Sequence, residues 1–300
     1  MAWTFKIALR SIVLAGLTMA GCMSLVGASH AAPLETVEPG TLTVAFNGDM
    51  PGSSFANGRL IGVDGEILQW IADQLHLKIK PAMMEFSAEI GSVQTRRIDV
   101  MLGMVSWRPQ RAEVMLMSDP LYYPHALFVQ KKDHNWDHVA DLEGKQVASI
   151  QGFGQVQELK KIDRIDLHLY DTSDAALRDL LAGRVQVLFA DPALVIYSLK
   201  KNPDWDIHAL PANQTFDPKY PTLSGGKTEV VFGMSKEAPE LAKAINEKID
   251  EAWQSCLLAH TAAKYGLTDA AWFEAGGHDS RAGKDRPADW KPPAPPAGCK

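Results

Sequence analysis

The chain is poor in cysteine: three in 300 residues, one of which, Cys22, lies inside an apolar N-terminal run. Without it an even pair remains, Cys256 and Cys299, and in an oxidising compartment such a pair reads as one disulfide tying the C-terminal tail to a helix. A reactive thiol is disfavoured, because "WQSCLLAH" offers no electropositive neighbour except His260. Positive charge is also scarce. The segment 1–31 carries two basic residues and no acidic one, so its removal leaves 28 basic against 36 acidic residues and a formal charge of −8. An acidic surface repels phosphate, which excludes nucleic acid as the partner. No long block of like charge occurs, and no stretch beyond the N-terminus is long and apolar enough to span a bilayer. What is present is hydrophobic residue, 46% of the chain, enough to bury the core of one or two domains.

The N-terminus has the build of an export signal. Lys6 and Arg10 precede "SIVLAGLTMAGCMSLVGA", and the small residues Ser29 and Ala31 make a cleavage site before Ala32. The competing reading acylates Cys22 in "TMAGC". Met19 fits that pattern poorly and apolar residues continue past the cysteine, so simple cleavage of 1–31 is the expectation, with lipid anchoring at Cys22 second.

Beyond it, strand-like and helix-like segments alternate. "GTLTVAF" (40–46), "LKIKPAM" and "IDVMLGM" (98–104) are strand-like, and Ile67, Leu68, Ile71 and Leu75 fall at helical spacing between the first two. A second set starts near Gly144: "KQVASI", then "GFGQVQELKKI" turning into a helix. "SDAALRDLLAGR" follows, with Ala176, Leu177, Leu180 and Leu181 on one face and Gly183 as its stop, and then "VQVLFAD" (185–191). Such alternation predicts βαβ units around mostly parallel sheets. "QTRRIDVMLGM" and "LAGRVQVLFAD" echo each other, which points to two lobes of similar build. Leu241, Ile245, Ile249, Trp253 and Leu257 mark one long amphipathic helix entered through Pro239. From Gly276 the pattern is lost in a Pro/Gly-rich tail, expected to be extended and pinned only through Cys299.

In open α/β sheets ligands lie outside the carboxyl ends of the strands. Four stretches fall there: "NGDMPGSSF" with Asp49, "VSWRPQR" with Ser106 and Arg111, the turn Gly152-Phe153-Gly154, and Asp191. A guanidinium matches both oxygens of a carboxylate. Free N–H groups at the glycine turn would favour the same anion, and Asp191 would answer an ammonium. Asp191-Pro192 equally reads as N-cap and N1 of a helix, and both roles can hold. Arg108 is read as facing solvent or the cleft lip, and Glu85 and Glu89 as exposed helix decoration. Other lures fail: "SGGKT" has Pro221 where a phosphate loop needs its first glycine, the GxG lacks a third glycine, and no nucleophile elbow occurs. His134 and His138 stand at i,i+4 without a third zinc ligand in view, so neither metal nor cofactor is expected.

Taken in order, "GTLTVAF", "LIGVDGEILQWIADQL", "RRIDVMLGMVSWRPQRAEVMLMSDPLYYPHALFVQKK", "DLEGKQVASIQGFG", "GRVQVLFAD" and "VVFGMSKEAPELAKAINEKIDEA" resemble the type II periplasmic solute-binding proteins of family 3, which serve polar amino-acid ABC transporters. The resemblance runs from about Gly40 to Leu267. It implies an α/β, two-lobed periplasmic-binding-protein fold (type II), each lobe a mostly parallel sheet flanked by helices. Lobe 1 would be discontinuous (40–123 and 230–272), lobe 2 would span 124–229, and 273–300 would be tail. It implies that Arg111 grips an α-carboxylate with Ser106, Asp191 takes the α-amino group, and Phe86 lines the cleft, with hinges near Tyr122–His125 and Thr228–Phe232. Phe153 stands where the family carries a hydroxyl, Asp49-Met50-Pro51-Gly52-Ser53 replaces an aromatic loop, and Met104 replaces a small residue, so a remodelled pocket is expected. The implied partners are a small zwitterionic solute and a membrane permease, with the protein acting as a monomer. Two alternatives share the architecture: a cleft enzyme of the cyclohexadienyl dehydratase type, using Glu85, Glu89 or Asp49 as proton donor, and a non-transport accessory of a periplasmic dehydrogenase.

Overall fold

A computed structural model describes residues 1–2, 34–213, 215–276 and 281–299. The chain divides into two compact units, Met1–Pro33 and Leu34–Lys300. The segment read as an export signal, with Cys22, lies outside the described residues except for 1–2. Both main sheets belong to the second unit. Among the described residues no helix is long and apolar enough to cross a membrane.

The first sheet is built on β1 (Thr41–Phe46), with β4 (Lys78–Met83) and β5 (Val100–Met101) beside it in parallel. Flanked on both sides and buried from Leu42 to Phe46, β1 reads as the continuous apolar run that a central parallel strand requires. Between β1 and β4 lie the hairpin β2 (Ser54–Ala56) and β3 (Arg59–Ile61), then α1 (Val63–Gln74). After β4 come α2 (Phe86–Gln94), the single turn α3 (Pro109–Ala112) and β6 (Leu116–Met117). The second sheet contains β7 (Leu127–Lys131), β8 (Gln146–Ile150), β9 (Asp166–Tyr170), β10 (Val187–Phe189) and β11 (Ile207–Pro211). Helices α4 (Val156–Leu159), α5 (Ser173–Leu181) and α6 (Pro192–Lys201) connect them. The chain then returns through β12 (Gly233–Met234) to α7 (Pro239–Gln254) and α8 (Leu257–Lys264).

The orders are β4-β1-β5-β12-β6 and β11-β7-β10-β8-β9. Each sheet is mixed. The βαβ units form its parallel half, as the alternation predicts, while the strands beside the interlobe crossings run antiparallel. The crossings themselves lie side by side: Tyr122 bridges Val230 and His125 bridges Lys227. The long C-terminal helix predicted through Leu257 is two helices. Cys256 takes a left-handed φ of 61° and breaks it, so Leu257 opens α8.

Two contacts aim the first lobe's loops. Gly62 has φ 95°, and a Cβ there would fall 2.5 Å from the Gly52 carbonyl oxygen. Only glycine allows this approach. It brings the N–H groups of Val63 and Asp64 onto the carbonyls of Pro51 and Gly52, 2.6 and 2.9 Å away, and so fixes the loop that carries Asp49. Asp64, fully buried, accepts from the Met104 N–H (2.6 Å) and the Tyr122 hydroxyl (2.9 Å). Helix α1, the exit of β5 and the crossing are thereby tied together at one carboxylate.

Candidate ligand-binding cleft

Pro109 at N1 starts α3, and this single turn holds Arg111 inward with only 7% of its surface exposed. Its guanidinium donates to the Ser106 carbonyl (2.5 Å) in the same lobe and to the Gly152 carbonyl (2.7 Å) in the other. It also lies 5.1 Å from the centroid of the Phe86 ring. Phe86 meets Phe153 edge-on at 5.4 Å, so Arg111, Ser106, Phe86, Gly152 and Phe153 form one contact across the lobes. Burial lowers the Arg111 pKa to about 10, with Arg108 acting the same way, while Asp191 and Glu89 oppose the shift.

The glycine turn differs from expectation. Gly152 has φ 82° and turns its carbonyl, not its N–H, to the arginine, and α4 is a single turn. A carbonyl acceptor is what a buried guanidinium needs, because every unmet donor there carries a desolvation cost. Ser106 likewise supplies its carbonyl to Arg111 while its backbone bridges Val230. Gly154 has a different neighbour: a Cβ on it would fall 2.0 Å from Arg108 Nε.

That neighbour corrects the reading of Arg108 as a solvent or lip residue. Its side chain is 18% exposed and crosses to the second lobe, where it donates to Thr222 Oγ1 (2.7 Å) and lies 3.9 Å from Glu158 Oε1. Glu158 is itself held by the N–H groups of Thr222 and Leu223 at 2.9 and 3.1 Å. "SGGKT" therefore follows a segment that receives an interlobe arginine.

Acids face this arginine pair. Asp191 occupies the N-cap position of α6, with Pro192 at N1, yet its side chain makes no capping bond. Burial raises its pKa well above the usual carboxylate range. Asp49 and Asp64 add to the rise, and Arg111 opposes it. Asp49 accepts from Ser173 Oγ of the second lobe (3.0 Å) and from Asn47 Nδ2 (3.1 Å), and burial raises its pKa too. Met104 has φ 57°, is buried, and packs against Gly52, beneath the Asp49 loop. Glu89 is a correction. It is not surface decoration: it is fully buried, and neither carboxylate oxygen has a hydrogen-bond partner among the described residues. Phe86, Glu89 and Val93 form the buried face of α2, and only an acid placed at i+3 from an apolar anchor hinted at this in the sequence. Glu85, the N-cap of α2, is exposed as read.

The family model for bacterial extracellular solute-binding proteins, family 3, matches residues 42–268, well over half of the chain. The chain belongs to that family. Among relatives of this family 3 protein, the probable amino-acid-binding protein YxeM of Bacillus subtilis is 28% identical over 215 residues, covering 70% of this chain and 77% of that one. The lysine/arginine/ornithine-binding periplasmic protein of Escherichia coli is 28% identical over 248 residues, covering 81% and 92%. The fold is that of an amino acid ABC transporter substrate-binding protein from Streptococcus pneumoniae bound to L-arginine. The two superpose with a TM-score of 0.67 at 23% identity over 78% of this chain and 97% of the other.

Outside the cleft, the family 3 chain carries a tail that is fixed more firmly than expected. Cys256 and Cys299 are bonded, with Cα atoms 5.3 Å apart. A second anchor was not foreseen. Arg281 is 2% exposed and donates to the Ser118 and Met117 carbonyls (2.8 and 3.0 Å), Glu229 (3.0 Å) and Asp285 (3.1 and 3.0 Å). Arg286 adds a 2.6 Å bond to Glu229, and Trp107 Nε1 donates to Asp285 at 2.8 Å. A tail read as extended is thus held by buried ion pairs that composition could not reveal. His134 stacks on Trp136, while His138 groups with Asp137 and Asp141 at a 3₁₀ turn where Asp141 accepts backbone N–H groups. Neither histidine lies within a helix, the setting considered for a zinc pair.

Proposed function

We propose that this protein is the solute-binding component of an ABC importer, closing two lobes over a small zwitterion on the outer side of the membrane and presenting it to a permease. The observation that carries the reading is Arg111: a nearly sealed guanidinium that bonds two carbonyls and, among the described residues, pairs directly with no carboxylate. A ligand α-carboxylate completes it, and Asp191, uncapped on the opposite lobe, takes the α-amino group. Lobe 1 is 40–123 with 230–272, and lobe 2 is 124–229. Closure excludes water, so each charge pair strengthens as it forms, and the ligand shifts an equilibrium between open and closed forms. The names of the relatives and of the structural neighbour, all amino-acid binders, support the same ligand class.

Calorimetric titration with a panel of amino acids tests this. A ligand that binds the native protein is expected to lose several kcal/mol on Arg111→Ala, because the mutation strands a buried carboxylate. Equal affinity in the variant would remove Arg111 from recognition. The dehydratase reading is favoured by one observation, the buried acid Glu89, and is separated by product: a prephenate-like compound turned over by the purified protein would replace the receptor assignment.

A further inference from the structure

The protein's own groups join the two lobes across the cleft. Three of the joints are polar: Arg108 to Thr222 (2.7 Å), Ser173 to Asp49 (3.0 Å) and Arg111 to the Gly152 carbonyl (2.7 Å). Water can take over such bonds when the lobes part. The fourth joint has no such substitute. Phe86, the first residue of α2, meets Phe153 of the second lobe edge-on, with ring centroids 5.4 Å apart and the residues 4% and 8% exposed. The pair belongs to one hydrophobic cluster that runs from Ala45 and Val105 in the first lobe to Ala148 and Ile150 in the second. Edge-on rings attract beyond their area burial, and parting the lobes would uncover both.

The turn that carries Phe153 lies on the Phe86 ring. A Cβ on Gly152 would stand 3.6 Å from that ring. The Phe153 N–H donates to the Ile150 carbonyl (3.1 Å), and its own carbonyl accepts from the Val156 N–H (3.2 Å), which fixes the turn. The same turn sets the Gly152 carbonyl on Arg111 Nη2, a donor that the clamp would offer to a carboxylate. A pocket wall keeps its ring open to the cleft until a solute covers it. Phe153 is covered by Phe86 instead, so the second lobe supplies what a solute would: an oxygen for the guanidinium and an apolar group for the ring.

We propose that Phe153 is a built-in competitor for the cleft. It holds the lobes closed by itself, and a solute binds only after the Gly152-Phe153 turn has left Arg111 and Phe86. This rests on the Arg111 clamp proposed above. Apparent affinity is then reduced to the fraction of molecules that are open, so Phe153 sets the threshold that a solute has to exceed.

Small-angle scattering and calorimetry on the purified protein test this together, with the twenty standard L-amino acids as probes. The native protein is expected to scatter as the closed form before any amino acid is added and to keep that profile when one binds. Phe153→Ala should raise the radius of gyration of the unliganded protein, and a bound amino acid should restore the closed profile. Amino acids that bind the native protein should bind this variant about 10- to 100-fold more tightly, the range that uncovering one buried aromatic side chain corresponds to. Phe153→Leu keeps an apolar side chain and loses the edge-on ring. It should move both readouts less in the same direction, and it serves if the alanine variant folds poorly. A native protein that scatters open and contracts only with a bound amino acid overturns the competitor. Binding in both variants no tighter than in the native protein does so too, and makes Phe153 a pocket wall; a loss of affinity in Arg111→Ala then leaves the clamp standing. A Phe153 variant that opens while neither it nor the native protein binds any of the twenty removes the clamp and keeps the self-closure.

Discussion

The cleft and the tail anchor each bury an arginine, and they treat it in opposite ways. Arg281, in the tail, meets two carboxylates and two carbonyls within 3.1 Å. Arg111, in the cleft, bonds carbonyls and feels its acids at a distance. A closed ion network fixes one conformation, whereas an incomplete one stores affinity for whatever completes it. The acids divide in the same way, with Asp64 fully engaged in lobe 1 and Glu89 without a donor among the described residues.

The comparison breaks most sharply at the anchor. Arg281→Ala leaves Glu229 and Asp285 short of a buried partner and should cost about 3–5 kcal/mol in urea unfolding, with ligand affinity retained. Arg111→Ala should do the opposite, sparing stability and abolishing binding. A stable Arg281 variant beside an unfolded Arg111 variant would invert the contrast. Next in size is the disulfide. Cys299→Ser releases a link across 43 residues and should remove about 2–4 kcal/mol, read as a lowered unfolding midpoint and earlier cleavage of the tail by protease. Arg108 comes third, as a charged bond between lobes worth about 1.5–3 kcal/mol. Arg108→Ala should shift the unliganded protein toward the open form in solution scattering, and Gly154→Ala should follow, since its Cβ takes the place of Arg108 Nε. An unchanged scattering profile in both would reduce Arg108 to packing.

Smallest is the response to pH. Burial raises the folded-state pKa of Asp49, Asp64, Glu89 and Asp191, Asp64 from 3.8 to about 6. A carboxyl raised on folding binds its proton more tightly in the native state. Its contribution is therefore complete below the ordinary carboxylate value and is lost as pH rises through the folded value. For Asp64 that window runs from 3.8 to about 6. Against carboxylates that titrate the other way, such as Glu35, the net loss between pH 4 and 6 should be on the order of 1 kcal/mol, or about 2–4 °C in Tm. A saturating amino-acid ligand should flatten the slope at higher pH, because its α-amino group would favour the ionised form of Asp191. A slope unchanged by ligand would place Asp191 outside the site.

Much of this was legible. Strands β1, β8 and β10 were visible as apolar runs, α5 and α7 as stripes at helical spacing, and Arg111, Asp191 and the glycine turn as features at strand ends. The illegible parts depended on partners remote in sequence. Arg108 looked like a lip residue because Thr222 and Glu158 lie 114 and 50 positions away. Glu89 looked exposed because charge on a helix usually faces water, and no local pattern reports that this acid falls on the buried face of α2. The tail looked loose because Arg281 finds Glu229, Ser118 and Met117 only after folding.

The sequence by itself determined the alternation of elements, the family pattern and the residue types at the mouths of the strands, since hydrophobic period and backbone chemistry are local. Tertiary structure alone decided which charges are satisfied. Burial and pairing are properties of the assembled lobes, and they separate the arginine that holds the tail through carboxylates from the arginine that bonds carbonyls between the lobes.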